Sequence, residues 1–136
     1  MQEAWNRWEP VNNLAKKYSI ESITESIADK FKVILIDSDN KSKKVLIAFA
    51  DGIDAHRSTN ESYVLSTLTY LKSRYGSDFY TEWTFFKIEN SNYLKWMSEQ
   101  SYGITQDCHF THFCILSSDS MLDIIAPYEP KITLIG

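Results

Sequence analysis

The densest group of side chains able to do chemistry is Cys108-His109-Phe110-Thr111-His112-Phe113-Cys114. Read as a strand, it turns Cys108, His112 and Cys114 to one face and His109 to the other, because alternate residues share a face. Three such ligands could begin a zinc site. The spacing C-H-x-x-H-x-C matches no established zinc pattern, however, and the two cysteines would lie about 20 Å apart along a regular strand. A disulfide is excluded on the same ground, since it needs Cα atoms within about 7 Å. Both cysteines are expected to be buried free thiols, and no metal site is assigned.

A Cys/His nucleophilic pair needs a base beside the thiol and an electropositive, partly open setting. Cys114 and His112 fall about 6.5 Å apart on one strand face, but a cysteine between Phe113 and Ile115 belongs in a core. Asp51, Asp54, His56 and Glu61 could supply carboxylates and an imidazole for acid–base work. A solvated loop before a helix accounts for them better, with Glu61 engaged in capping. Gly52, Gly76, Gly103 and Gly136 are isolated, so neither G-x-G-x-x-G nor a Walker run exists. A Ser/His/Asp arrangement is set aside because no G-x-S-x-G elbow is present. The residues therefore assign no catalytic group and no cofactor.

The elements that would carry these residues follow from pattern. Phe31–Asp37 and Lys43–Ala50 are β-rich runs around the polar turn Ser38-Asp39-Asn40-Lys41-Ser42. Both are apolar on both faces, which predicts a central hairpin covered on both sides. Val11, Leu14, Ala15 and Tyr18 have the spacing of a short helix, preceded by an arm holding Trp5 and Trp8. Residues 19–27 read as a strand on their Ser, Thr and Ile content. Ser58 and Glu61 form a capping-box pattern before Val64, Leu65, Leu68, Leu71 and Tyr75, with Gly76 as the C-terminal cap. Trp83–Glu89 reads as a strand, Asn90 and Ser91 as caps of a second helix ending near Gly103. His109–Leu116 and Met121–Ala126 form an antiparallel pair, and Lys131–Ile135 an edge strand after Pro127 and Pro130. The fold class is α+β: an antiparallel sheet of about five to six strands with two to three helices packed on it. Residues 1–136 read as one domain, with residues 1–18 an N-terminal arm and short helix.

Composition narrows the function classes. A chain of 136 residues can bury roughly two-thirds of its unfolded surface without a staple, and 4 Trp, 8 Tyr and 7 Phe supply large apolar areas for doing so. Net charge is −4, where nucleic-acid binding favours a basic excess. Lys41, Lys43 and Lys44 read as a solvated turn, so no nucleic-acid partner is expected. No cationic start or long apolar run marks a leader or span; no membrane association is expected, and a cytoplasmic location is.

One stretch carries a family likeness: Phe85-Phe86-Lys87-Ile88-Glu89-Asn90-Ser91-Asn92-Tyr93-Leu94-Lys95-Trp96, then Ser98-Glu99-Gln100-Ser101, His112-Phe113 and Asp123-Ile124-Ile125. From about Val33 onwards the chain resembles small proteins of Bacillus-type bacteria, some of which look like immunity partners of LXG-type polymorphic toxins. The resemblance implies a non-catalytic protein that docks on a cognate toxin and blocks its active site. It brings no catalytic residues with it. An acidic surface would suit the cationic cleft of a nuclease, which makes Asp37, Asp39, Asp51 and Asp54 candidate contacts. Trp5 and Trp8 are candidate anchors, although burial in the chain's own core is the stronger reading for both. A structural or regulatory interaction domain is the alternative function, and a small hydrolase or transferase using His56, His112 or Cys114 the third.

Overall fold

A computed structural model describes residues 2–136, excepting the side chains of residues 106 and 107. Among the described residues, nine strands form two antiparallel sheets, accompanied by three helices, an α+β fold. The first sheet joins β1 (Ala4–Arg7), β6 (Phe85–Glu89), β7 (Thr111–Leu116), β8 (Ser120–Ala126) and β5 (Ala55–Asn60) in that spatial order. The second joins β2 (Tyr18–Ser26), β3 (Lys30–Asp37), β4 (Lys44–Phe49) and β9 (Lys131–Ile135). The strands thus divide between two sheets rather than filling a single one.

Alternation explains how the sheets meet. Phe31, Val33 and Leu35 on β3, with Val45, Ile47 and Phe49 on β4, turn to one face and are fully enclosed. They interdigitate with Trp8, Phe85, Phe113, Ile115, Leu122 and Ile124 of the five-stranded sheet. Edge-on aromatic pairs run through this core, Phe49 against Phe113 at 5.6 Å and Tyr18 against Phe85 at 5.7 Å. Each such ring stabilises the fold by roughly 2–3 kcal/mol through area removed from water. The other face of the five-stranded sheet carries Trp5, Phe86, Ile88, Cys114, Leu116 and Met121 under α1 (Leu65–Tyr75). The short α2 (Asp78–Thr81) and α3 (Asn92–Gln100) complete the helices. The body is therefore three layers: helices, five strands, four strands.

Several local readings need correction. Residues 11–17 form no helix; Leu14 and Ala15 pack on the core from an irregular segment, and Tyr18 opens β2. Their spacing mimicked a helix because a loop had to bury two side chains. Ser58 does not cap a helix either: it lies on β5 opposite Leu122, while Asn60 caps a 3₁₀ turn by accepting the Ser62 N–H at 2.9 Å. The hairpin β3–β4 does occupy the middle of its sheet, but only one of its faces is enclosed. Ile34, Ile36, Leu46 and Ala48 are half-buried on the outer face, flanked by Lys32 and Lys44. Other boundaries hold closely: β9 spans Lys131–Ile135, Gly76 ends α1 at φ 98°, and Ser91 caps α3.

Candidate functional site

The register of the five-stranded sheet assembles a chain of polar side chains from four distant parts of the sequence. Cys114 stands opposite Asp123 and Asp123 opposite Arg57, while His112 lies two residues along β7 on the same face. Above them, α3 begins at Ser91, whose extended backbone (φ −64°, ψ 123°) lets its Oγ accept the Leu94 N–H at 3.0 Å. Ser91 Oγ is 2.7 Å from His112 Nδ1, and His112 Nε2 is 2.7 Å from Asp123 Oδ1. Arg57 Nε donates to Asp123 Oδ2 at 2.8 Å. Asp123 as a carboxylate can only accept, so His112 Nε2 donates to it.

Ser91, His112 and Asp123 have the composition of a catalytic triad but not its orientation or access. A triad presents serine to Nε2 and the carboxylate to Nδ1; here the two ring nitrogens are exchanged. Ser91 and His112 are buried, and Ser91 Oγ already serves the helix N-terminus. The chemistry this geometry performs is positional. It satisfies a carboxylate with no exposed surface and fixes the one member that reaches solvent, Arg57, whose side chain is 49% exposed. The Arg57 guanidinium also lies 4.3 Å over the Tyr93 ring. Tyr93 in turn sits 5.9 Å from Trp96, which is 52% exposed. Farther along the same segment Tyr102 is 99% and Ile104 73% exposed.

A second polar centre is Lys17. Its Nζ donates to three backbone carbonyls, Tyr80 and Leu116 at 2.6 Å and Trp83 at 2.9 Å. Burial lowers this ammonium to about 8, with Glu61 among the groups that oppose the shift. It borders a shallow cavity with Glu61, Leu68, Tyr80, Leu116 and Ser118. The lysine ties the segment before β2 to the end of α2 and the end of β7.

The other sequence candidates are dispersed. Trp5 and Trp8 are core residues on opposite faces of the five-stranded sheet, so neither is an exposed anchor. Asp37 is buried and its Oδ1 accepts the Asp39 N–H at 2.8 Å, a turn role that removes it from any contact surface. Asp39 is exposed at the hairpin turn. Asp51 and Asp54 share a concavity with Gly52 and Tyr128 at the far end of β4, about 17 Å of strand away. The four acids form no common patch. His56 lies on the inner face of β5, its ring 4.8 Å from Phe31 and its Nε2 3.6 Å from Glu25. His112 lies on the opposite face, which separates the two histidines. Among the described residues, Asp51, Asp54 and Glu61 make no hydrogen bond or ion pair with the Arg57 chain. Cys108 is exposed and precedes β7, whereas Cys114 is enclosed, its thiol pushed well above its ordinary range by burial and then by Asp123. The expectation of two buried cysteines on one strand fails for Cys108.

Sequence reading missed Ser91, Asp123 and Arg57 as a unit, because a search by motif looks for local spacing. One signal was available. Asp123 interrupts Met-Leu-Asp-Ile-Ile-Ala and His112 opens His-Phe-Cys-Ile-Leu, and a charged or polar residue inside an apolar strand demands a buried partner. No helix among the described residues is long and apolar enough to cross a membrane. No family model matches this chain, and no curated protein or solved structure matches it either.

Proposed function

We propose that this chain is a non-catalytic protein-binding module that neutralises a cognate bacterial toxin in the cytoplasm of the producing cell by docking on it and occluding its active site. The observation that carries the binding role is the surface of α3 and the turn after it. Trp96, Tyr102 and Ile104 are exposed within nine residues, and Trp96 adjoins Tyr93, over which the half-exposed Arg57 lies. Tryptophan, tyrosine and arginine are the residue types that dominate binding energy at protein interfaces. Leaving such side chains in water does nothing for the fold, whereas a partner that covers them gains their apolar area. The buried Ser91–His112–Asp123 chain supports a binding rather than a catalytic role, since its hydrogen bonds are spent on holding α3 and Arg57 in place. The toxin as partner rests on the family likeness of Phe85–Trp96 and the segments after it.

Co-expression with the product of the neighbouring gene tests the reading. The expected result is a stable complex and relief of that product's toxicity, with complex formation lost on Trp96→Ala or Tyr102→Ala while the thermal midpoint holds. A neighbouring product that is neither bound nor neutralised would remove the toxin reading. A complex indifferent to both substitutions would move the interface elsewhere.

A further inference from the structure

Arg57 is held on two sides and open on the third. Its Nε is committed to Asp123 at 2.8 Å, and its flat face rests 4.3 Å from the centre of the Tyr93 ring. Among the described residues, neither terminal guanidinium nitrogen has a hydrogen-bond partner. Asp123 cannot move away to release the arginine, because its other oxygen is bound to His112, and His112 to the cap of α3. The result is a half-exposed guanidinium, fixed through Nε and its face, whose two terminal nitrogens have no hydrogen-bond partner among the described residues. Ordering such a side chain normally costs rotamer entropy at the moment of binding; here folding has already imposed that order.

We infer that Arg57 is a carboxylate-recognition site: its terminal nitrogens receive an Asp or Glu side chain of a protein partner end-on, with Trp96 covering the apolar stem of that side chain. The inference rests on the protein-binding reading above and names the chemistry of the group bound. Two parallel N–H···O bonds match the spacing of a carboxylate. A phosphate fits less well. It carries nearly twice the charge, the charge of Arg57 is already balanced by Asp123, and the chain as a whole is net −4. One geometric fork suffices for a carboxylate where a dianion would call for further cations. The flank decides the class of partner. Trp96 at 52% exposure, next to Tyr93, forms an open aromatic shelf and not a closed pocket, so the ligand is a group on a larger surface.

A peptide-display selection tests this without the natural partner. A random peptide library is panned on the wild-type chain and depleted on the Arg57→Ala chain. Enriched peptides are expected to share an Asp or Glu next to an apolar residue. Changing that acid to Gln or Asn in the peptide should weaken binding by at least about tenfold, and Arg57→Lys in the protein by a similar factor although the charge is kept. Trp96→Ala should weaken it as well. The inference is overturned if no peptide enriches, if the enriched peptides carry no common acid, or if Arg57→Lys binds them as tightly as the wild type. The peptide change leaves the protein untouched, so a folding defect cannot imitate the result. A failed co-expression with a successful selection would remove the toxin and keep the carboxylate site. A neutralising complex in co-expression with no acid-bearing peptide enriched would keep the toxin reading and remove the carboxylate site.

Discussion

Arg57 and Asp123 stand opposite one another on β5 and β8, joined at 2.8 Å, yet the arginine is half exposed while the carboxylate has no exposed surface. The asymmetry says which residue depends on the other. A buried carboxylate must have donors for both oxygens, and Arg57 and His112 provide them. Arg57 needs no partner to be stable in water; it is kept in place as a consequence.

Removing the carboxylate therefore harms the fold more than removing its exposed partner suggests. Asp123→Ala is expected to cost about 3–5 kcal/mol, since it strands the His112 N–H and opens a cavity under α3. Asp123→Asn should cost less, because it keeps the volume and one acceptor. Ser91→Ala loses the cap and the bond to Nδ1, for about 1–2 kcal/mol. Its effect should not add to that of His112→Ala, as the two share one network. Urea unfolding of the single and double variants checks this. An Asp123→Ala chain as stable as the wild type would mean that the network is not formed.

The two thiols should separate cleanly. Cys108 is exposed, whereas Cys114 lies beneath α1 with its thiol held well above its ordinary range by burial. A thiolate-seeking disulfide reagent is expected to titrate one cysteine in the native chain and two in urea. Cys108→Ser should abolish the native reaction. Two equivalents reacting quickly without denaturant would show that α1 opens readily over the sheet.

What could be read from the sequence was what the sequence encodes locally. The strand at Phe31–Asp37, the Ser91 cap and the Gly76 stop are each decided by residues within a turn or a strand of one another, whereas which face of that strand is enclosed is not. β5 was invisible because Ala-His-Arg-Ser-Thr-Asn has no apolar period: it is an edge strand, and its contribution to the sheet is backbone pairing with β8 and the Arg57 contact. The polar chain was invisible for a related reason. Its members at 57, 91, 112 and 123 meet only once three strands and a helix are in register.

Adjacent residues of β4 should respond differently to truncation. Ile47 is enclosed between the sheets, whereas Leu46 points to the open outer face beside Ile34. Ile47→Ala is expected to cost roughly 2–5 kcal/mol as a cavity in a packed core. Leu46→Ala should cost less, roughly 1–2 kcal/mol, because its half-buried side chain leaves no enclosed cavity behind. Chemical denaturation at equal ionic strength gives both values. Equal losses would mean that something covers the outer face in solution, a second copy being the first candidate to check by sedimentation.

Lys17 gives the chain a pH dependence whose sign follows from burial. In the unfolded chain its ammonium has the ordinary lysine value of 10.5, and folding lowers it to about 8. Below pH 8 both states hold the proton and the contribution is constant. Between about 8 and 10.5 the unfolded chain keeps a proton that the folded one has released, so unfolding takes up a proton and stability rises with pH. The gain across that window is at most roughly 3 kcal/mol, and less to the extent that solvent reaches the ammonium. Tyr18 and Tyr93 act in the opposite sense, because burial raises both above the ordinary phenol value and their contribution is lost as pH climbs past 10. The window to measure is therefore pH 7.5–9.5. Lys17→Met supplies the reference, with three carbonyls left unserved at every pH. The wild type should gain on that variant as pH rises from 7.5 to 9.5 in urea unfolding. A difference that stays flat would place the Lys17 ammonium near its ordinary value and its Nζ in water rather than among the carbonyls of Tyr80, Trp83 and Leu116.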